Sequence, residues 1–189
     1  MTGPAAAAAA RALRYDAWFD GPWGRYAWRV ETAAVLAALG PLAGRRVADI
    51  GCGTGRLLGS LSSHGAQAVG IDTDPAMLAL ASTRGRVLTE MARITRPGGR
   101  LVAAVLNPGS LWGILDQPAR RAPYARGCFL PRSDLLALGR RHGQPSVHGA
   151  LFAARRLPAR QVLGPALETA GRITPRFGAC QVLTVITRT

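Results

Sequence analysis

Val47-Ala48-Asp49-Ile50-Gly51-Cys52-Gly53-Thr54-Gly55 reads as a short apolar strand that ends in an acid and runs into a turn with glycine at every second position. Glycine is required where a ligand must come close to the backbone, or where φ must be positive. A dinucleotide-binding turn has the spacing G-x-G-x-x-G and seats a pyrophosphate on the following helix N-terminus. Here the spacing is G-x-G-x-G, and Asp49 stands two residues before the first glycine. A carboxylate there repels pyrophosphate and suits a cationic ligand, so a nicotinamide-dependent oxidoreductase fails on both counts. The next strand, Ala66–Asp72, ends in a second acid, 17 residues after Gly55. An acid at that point can accept hydrogen bonds from both hydroxyls of a ribose.

Outward from this centre, strands and helices alternate. Residues 5–20 read as a helix carrying Tyr15, Trp18 and Phe19, followed by a turn at Asp20–Gly24. A second helix runs from Arg25 to Leu39 and stops at Gly40-Pro41. After the glycine turn a helix closes at Gly65. Beyond Asp72 lies a long amphipathic stretch, then a turn at Arg96–Gly99 and a strand at Arg100–Asn107. The residues from Ser133 to Gly143 predict a helix, with Ser133 or Asp134 as N-cap and Gly143 at its end. Two final strands are predicted at Ser146–Arg156 and Ala179–Thr189. The alternation argues for a doubly wound α/β sheet.

The pair "VADIGCGTGRLL" and "AVGIDTDPAML" resembles class I S-adenosylmethionine (SAM)-dependent methyltransferases. The resemblance continues through "EMARITRPGGRLVAAVLNP" and "FGACQVLTVITRT", and "YDAWFDGPWGRYAWRVE" looks like the N-terminal cap of small-molecule (type 11-like) members. It implies a Rossmann-like sheet, mostly parallel with an antiparallel C-terminal strand, and S-adenosyl-L-methionine as cofactor. It also implies a helical cap at residues 1–40 and a SAM-binding domain at 41–189. By this likeness Asp49 engages the methionine amino group, directly or through water. Gly51, Gly53 and Gly55, with Cys52 between them, line the methionine and ribose path. Asp72 holds the ribose, and Thr73 and Met77 lie near adenine, a plain core role being the alternative for Met77. Tyr15 and Trp18 either close over the site or form a buried aromatic staple. The methyl acceptor is expected to be a small molecule.

The family has a third strand, a helix and a fourth strand before the helix that leads to the Pro-Gly-Gly turn. Such a unit takes roughly 30 residues or more. Here "LALASTRG" (78–85) runs straight into "RVLTEMARITR" (86–96), so the unit is missing near residues 84–87. On a helical wheel Met77, Leu80, Ala81, Val87, Leu88, Met91 and Ile94 fall within about 140°, as one continuous helix requires. Gly85 lies at the edge of that arc and costs about 1 kcal/mol relative to Ala. Without the fourth strand, Arg100–Asn107 is expected to pair beside Arg45–Gly51, which predicts the strand order 2-1-3-5-4 in chain numbering. A degenerate homologue, impaired in catalysis or in binding SAM, is the alternative to an active enzyme.

Composition bounds the remaining classes. The 189 residues suit one domain, and 48% hydrophobic with 18% charged is a globular composition. All 24 basic residues are arginine and the formal net charge is +14. The arginines are scattered or in isolated pairs with little aromatic interleaving, so composition explains them better than a nucleic-acid surface. An RNA or protein acceptor is favoured by charge alone, and no N/D-P-P-Y/F-like tetrad is present. Cys52, Cys128 and Cys180 form no disulfide or zinc pattern, and His64, His142 and His148 add none, so no metal is expected. No apolar run is long enough to span a membrane, and the alanine-rich start does not read as a signal peptide; the expected location is the cytoplasm. No general base stands out. His142 and His148 are weak candidates, and Asn107 either faces the cleft or caps the turn with Pro108 and Gly109. Oligomeric state is left open.

Overall fold

The computed structural model describes residues 13–71, 88–110, 113–114, 129–153 and 160–188. The chain divides into two compact units. One comprises residues 1–32 and 40–79, the other residues 33–39 and 80–189.

Helix α1 (residues 13–20) meets helix α2 (Pro22–Leu39) at Gly21, and α1 with residues 22–32 of α2 belongs to the first unit. The predicted turn at Asp20–Gly24 is shorter than expected. Pro22 starts α2 because its fixed φ suits a first helical position, where no backbone N–H is needed. Gly24 lets the two helices touch, since a Cβ there would overlap the Trp18 carbonyl and Phe19 Cα. The elbow is filled by aromatic rings. Phe19 makes edge-on contacts with Tyr15 (5.2 Å), Trp18 (4.9 Å) and Trp28 (5.3 Å), and Trp23 stacks on Tyr26. Phe19, Trp23, Tyr26 and Ala27 are buried.

Strand β1 (Arg46–Ile50), helix α3 (Arg56–Ser63) and strand β2 (Gln67–Ile71) then form a β-α-β unit with the two strands parallel, as predicted. Asp49 lies in register with Gly70. Side chains alternate across the pair, so Val47, Asp49, Ala68 and Gly70 are half-buried while their neighbours are exposed. Helix α3 buries Leu61 and is closed by Gly65 in a left-handed conformation, φ +80°.

The second unit is built on strand β5 (Cys180–Thr187). It lies between β3 (Arg100–Leu106) and β4 (Gly143–Ala150) and runs antiparallel to both. Six successive residues of β5, Cys180–Val185, are buried. Leu183 and Val185 join Leu88, Leu101, Leu135 and Val147 in the core. Helix α4 (residues 88–94) contributes Leu88, with Met91 and Ala92 packed against the core, but Ile94 turns outward, half-exposed. The rest of the proposed continuous helix, residues 77–87, lies outside the described residues. Helix α5 (Arg132–Arg140) approaches the sheet at Gly139, where a Cβ would crowd Pro145, Leu183 and Val185. Pro145 is tolerated because β4 is an edge strand.

Three expectations are corrected, and one helix was not foreseen. Strands β1 and β3 do not pair. β1 pairs with β2 and β3 with β5 in separate sheets, so the order 2-1-3-5-4 is realised as 2-1 and 3-5-4 without the join. The edge of β3 away from β5 is met at Leu106 by Phe129, and the Leu130 amide donates to the Leu106 carbonyl. Helix α5 is capped by Pro131, with no side-chain bond, because the Ser133 hydroxyl turns to Asp134 instead. Strand β4 already begins at Gly143 and ends at Ala150. Just beyond it Leu151 has φ +62°, and the Glu168 carboxylate accepts the amides of Leu151, Phe152 and Ala153. Glu168 lies on helix α6 (Arg160–Gly171), which the sequence reading missed because Pro165 sits inside it.

Leu183→Ala is expected to cost about 2–5 kcal/mol of stability in urea unfolding, because the side chain is fully buried. Ile186→Ala, on the same strand but 40% exposed, is expected to cost less than about 1 kcal/mol. On α2, burial pushes the Glu31 carboxyl up to about 7 from an ordinary 4.5. The folded state therefore holds this proton more tightly than the unfolded chain, and stability falls as pH rises through 4.5 to about 7. Glu31→Gln is expected to raise stability at pH above that range by on the order of 1–3 kcal/mol and to flatten this slope.

Candidate functional site

The glycine turn is fixed by backbone geometry. Gly51, Gly53 and Gly55 all have positive φ (86°, 53° and 82°), a conformation that costs side-chain-bearing residues roughly 1–2 kcal/mol each. The Ile71 carbonyl at the end of β2 accepts two amides of the turn, from Gly51 (2.7 Å) and Cys52 (3.2 Å). The Gly55 amide closes the turn on the Cys52 carbonyl, and Gly55 caps α3 without any side-chain bond. Cys52 turns toward the sheet. A Cβ on Gly70 would lie 2.7 Å from its Sγ and 2.6 Å from Leu58 Cδ1. Glycine at 70 therefore makes room for both the turn and α3.

The backbone of the turn is accessible. A Cβ on Gly51 would meet nothing within 4 Å. On Gly53 it would meet only Cε1 of Tyr15, at 3.6 Å. Asp49, half-buried at the end of β1, leads directly into this open turn. A carboxylate, side-chain-free backbone and a helix start without a side-chain cap fit the ammonium and carboxylate ends of an amino-acid-bearing cofactor. They do not fit a pyrophosphate.

Helix α1 is fastened to the far side of the turn. Asp16 Oδ1 accepts hydrogen bonds from the Thr54 hydroxyl (2.7 Å) and from Arg56 Nε (2.6 Å). Arg56 Nη2 donates to the Asp16 carbonyl and to Asp20 Oδ1, both at 3.0 Å. The guanidinium lies 5.1 Å from the centre of the Phe19 ring. The Arg56 hydrogen bond, with help from Thr54, holds the Asp16 carboxyl below its ordinary 3.8, and Asp16 in turn raises Arg56. Of the two aromatic candidates, Tyr15 stands over Gly53 while Trp18 packs edge-on against Phe19.

Asp49, Gly51, Cys52, Gly53 and Gly55 thus come together as one turn. Asp72, Thr73 and Met77 lie outside the described residues. Asn107 belongs to the second unit and is committed to its own turn. Its Nδ2 donates to the carbonyls of Arg176 and Gly178, and its Oδ1 accepts the Gly109 amide. His148 is exposed on β4. Asp16, Asp20 and Arg56 were missed by the sequence reading. Their one signal was a pair of acids four residues apart on a helix, and an arginine directly after the last glycine. Among the described residues no group of three potential ligands could hold a metal ion, and no helix is long and apolar enough to cross a membrane.

Comparison with known proteins agrees with this geometry. Residues 47–88 match the family model described as a methyltransferase domain. A SAM-dependent methyltransferase from Thermotoga maritima, described as a possible histamine N-methyltransferase, superimposes with a TM-score of 0.66 at 19% identity. The match covers 93% of this chain and 96% of that one. A structure of the complex between the Haloferax volcanii Trm112 methyltransferase activator and a methyltransferase matches with a TM-score of 0.65 at 16% identity, covering 95% of each chain. Uncharacterised proteins of Mycobacterium tuberculosis and Mycobacterium bovis are 34% identical over 164 residues. The aligned stretch takes in 79% of this chain but 56% of theirs, so the chain spans about half the length of these relatives. The chain thus has the fold of these SAM-dependent methyltransferases, with a shortened core, and its residues 47–88 carry the signature of a methyltransferase domain.

Gly51→Ala is expected to cost roughly 1–2 kcal/mol in stability from the left-handed backbone alone, because its Cβ meets no neighbour. Gly70→Ala is expected to cost more in the same chemical unfolding assay, because its Cβ would strike Cys52 and Leu58. Asp16 has its folded value below the unfolded one, so its contribution is present above 3.8 and is lost as pH falls through the folded value. Asp16→Asn is expected to remove that part of the acid-unfolding slope, measured by circular dichroism.

Proposed function

We propose that the chain transfers a methyl group from S-adenosyl-L-methionine to a small-molecule acceptor by in-line displacement. The observation that carries this reading is the left-handed three-glycine turn entered through Asp49, within the segment that matches the methyltransferase family. Bound there, the cofactor supplies a methyl group on a sulfonium sulfur, which a nucleophilic acceptor can take without a metal or a covalent enzyme intermediate. Asp49 accepts the hydrogen bonds of the methionine ammonium. The turn amides and the first turn of α3 face the methionine carboxylate. Asp72, at the position following β2, holds the ribose hydroxyls, and Thr73 and Met77 border the adenine. The protein's main task is then to hold donor and acceptor close, aligned and shielded from water. Helix α1, fastened beside the turn and carrying Tyr15 over Gly53, supports an acceptor of modest size rather than a polymer.

A second reading, a degenerate homologue impaired in catalysis or in binding SAM, is favoured by one observation. The strand-helix-strand unit that the family carries before the Pro-Gly-Gly turn is missing near residues 84–87. The two readings part at turnover or already at binding.

Calorimetric titration of the full chain with SAM is expected to give micromolar affinity. Asp49→Ala and Asp72→Ala are each expected to weaken it by about 10- to 100-fold, the loss of a charge-assisted hydrogen bond. Release of S-adenosylhomocysteine in the presence of a panel of small amines, phenols and carboxylates is the expected sign of transfer. Tight binding with no turnover across the panel supports the impaired homologue. A folded chain that binds no SAM overturns the enzyme reading and supports a homologue impaired in binding. Turnover on RNA that is suppressed by salt would replace the small acceptor with a nucleic acid.

A further inference from the structure

We propose that Arg56 is a positioning residue that clamps helix α1 across the glycine turn and thereby slows exchange of the cofactor; this rests on the SAM-binding reading above. Thr54 and Arg56 are the two residues that flank Gly55, and both are tied to Asp16. The Arg56 fork reaches further, to the Asp16 carbonyl and to Asp20, while its flat face rests on Phe19. A planar guanidinium suits this arrangement of several acceptors and a ring, which the point charge of lysine does not reproduce. Helix α1 cannot leave the turn without breaking these four hydrogen bonds together.

The clamp sits where it controls access. The residue before Asp16 is Tyr15, and its ring is the one group found near the position of a Cβ on Gly53. The turn is open at Gly51 and covered at Gly53. Fastening Asp16 therefore sets whether the Tyr15 ring covers the turn.

The chemistry of the clamp suits release. Side-chain exposures are 28% for Arg56, 41% for Asp16 and 70% for Asp20. Ion pairs this wet contribute little to global stability and are weakened by salt. Buried apolar contacts anchor α1 at the other end, through Phe19 and the close contact at Gly24. The helix thus has a permanent attachment near Gly21 and a releasable one at the turn.

The test uses the full chain and three variants, Arg56→Gln, Arg56→Lys and Asp16→Asn. Amide hydrogen exchange of residues 13–20 is measured without cofactor, and dissociation of S-adenosylhomocysteine is followed by stopped-flow tryptophan fluorescence. Arg56→Gln is expected to speed exchange in α1 and to raise the dissociation rate by about tenfold, the usual route by which lost contacts act on binding. Arg56→Lys is expected to fall between it and the parent chain. Raising salt from about 0.05 to about 0.5 M is expected to speed release from the parent chain and to leave Arg56→Gln unchanged. A purely structural role would not produce that salt pattern. Unchanged exchange in α1 overturns the clamp, whatever the cofactor does. Faster exchange with an unchanged dissociation rate overturns its role in positioning. A parent chain that binds no cofactor overturns the SAM reading and the cofactor role with it, and the exchange data then judge the clamp alone. Should Arg56→Gln fail to fold, Asp16→Asn keeps the guanidinium and gives the same two readouts.

Discussion

One carbonyl oxygen organises the first unit. Ile71, the last residue of β2, accepts the amides of both Gly51 and Cys52. This bends the chain sharply as it leaves β1, and the bend is only accessible with positive φ. Three consequences follow. Glycine must stand at alternate positions through the turn. Asp49 is left at the mouth of the turn, in register with Gly70. Helix α3 must start close to the sheet, where the missing Cβ of Gly70 receives Cys52 and Leu58. The open, left-handed shape of the turn is a consequence of that one tether between adjacent parallel strands.

The second unit depends on a different constraint, the burial of β5. Its two partners hydrogen-bond along both edges, and its side chains are closed from solvent over six residues. Its polar residues Gln181, Thr184 and Thr187 are buried with the apolar ones, and the Gln181 amide donates to the Leu130 carbonyl. β3 is drawn into this sheet along its whole length and is met at Leu106 by Phe129. Among the described residues the strands form two small sheets, one in each unit.

Helix α1 combines both kinds of force. Aromatic packing around Phe19 gives it a fixed base, and the Gly24 contact sets how closely it lies on α2. Its outer face is held by charge and hydrogen bonds at Thr54 and Arg56. The first is insensitive to salt and the second is not, so one short helix can be both part of the fold and responsive to its surroundings.

The sequence by itself determined what depends on neighbours along the chain. The glycine spacing marked the left-handed turn, because φ is a local property and few residues tolerate that region. The stretch from Ala179 to Thr189 read as a strand, and Gly65 marked a helix end. Where a local signal misled, a local competitor was at work. Pro165 hid α6, and Ser133 offered itself as a cap but bonded Asp134. Tertiary structure alone decided the rest. Which strand lies beside β3 depends on edges far apart in sequence, and no periodicity in "RLVAAVLN" distinguishes β1 from β5 as its neighbour. Asn107 reads equally as a site residue or a cap until Arg176 and Gly178 arrive beside it. The bonds of Asp16 to Thr54 and Arg56 join residues 38 and 40 positions apart. Such pairings exist only once the chain has closed on itself, because hydrogen bonds and ion pairs are short-ranged in space and carry no signature along the sequence.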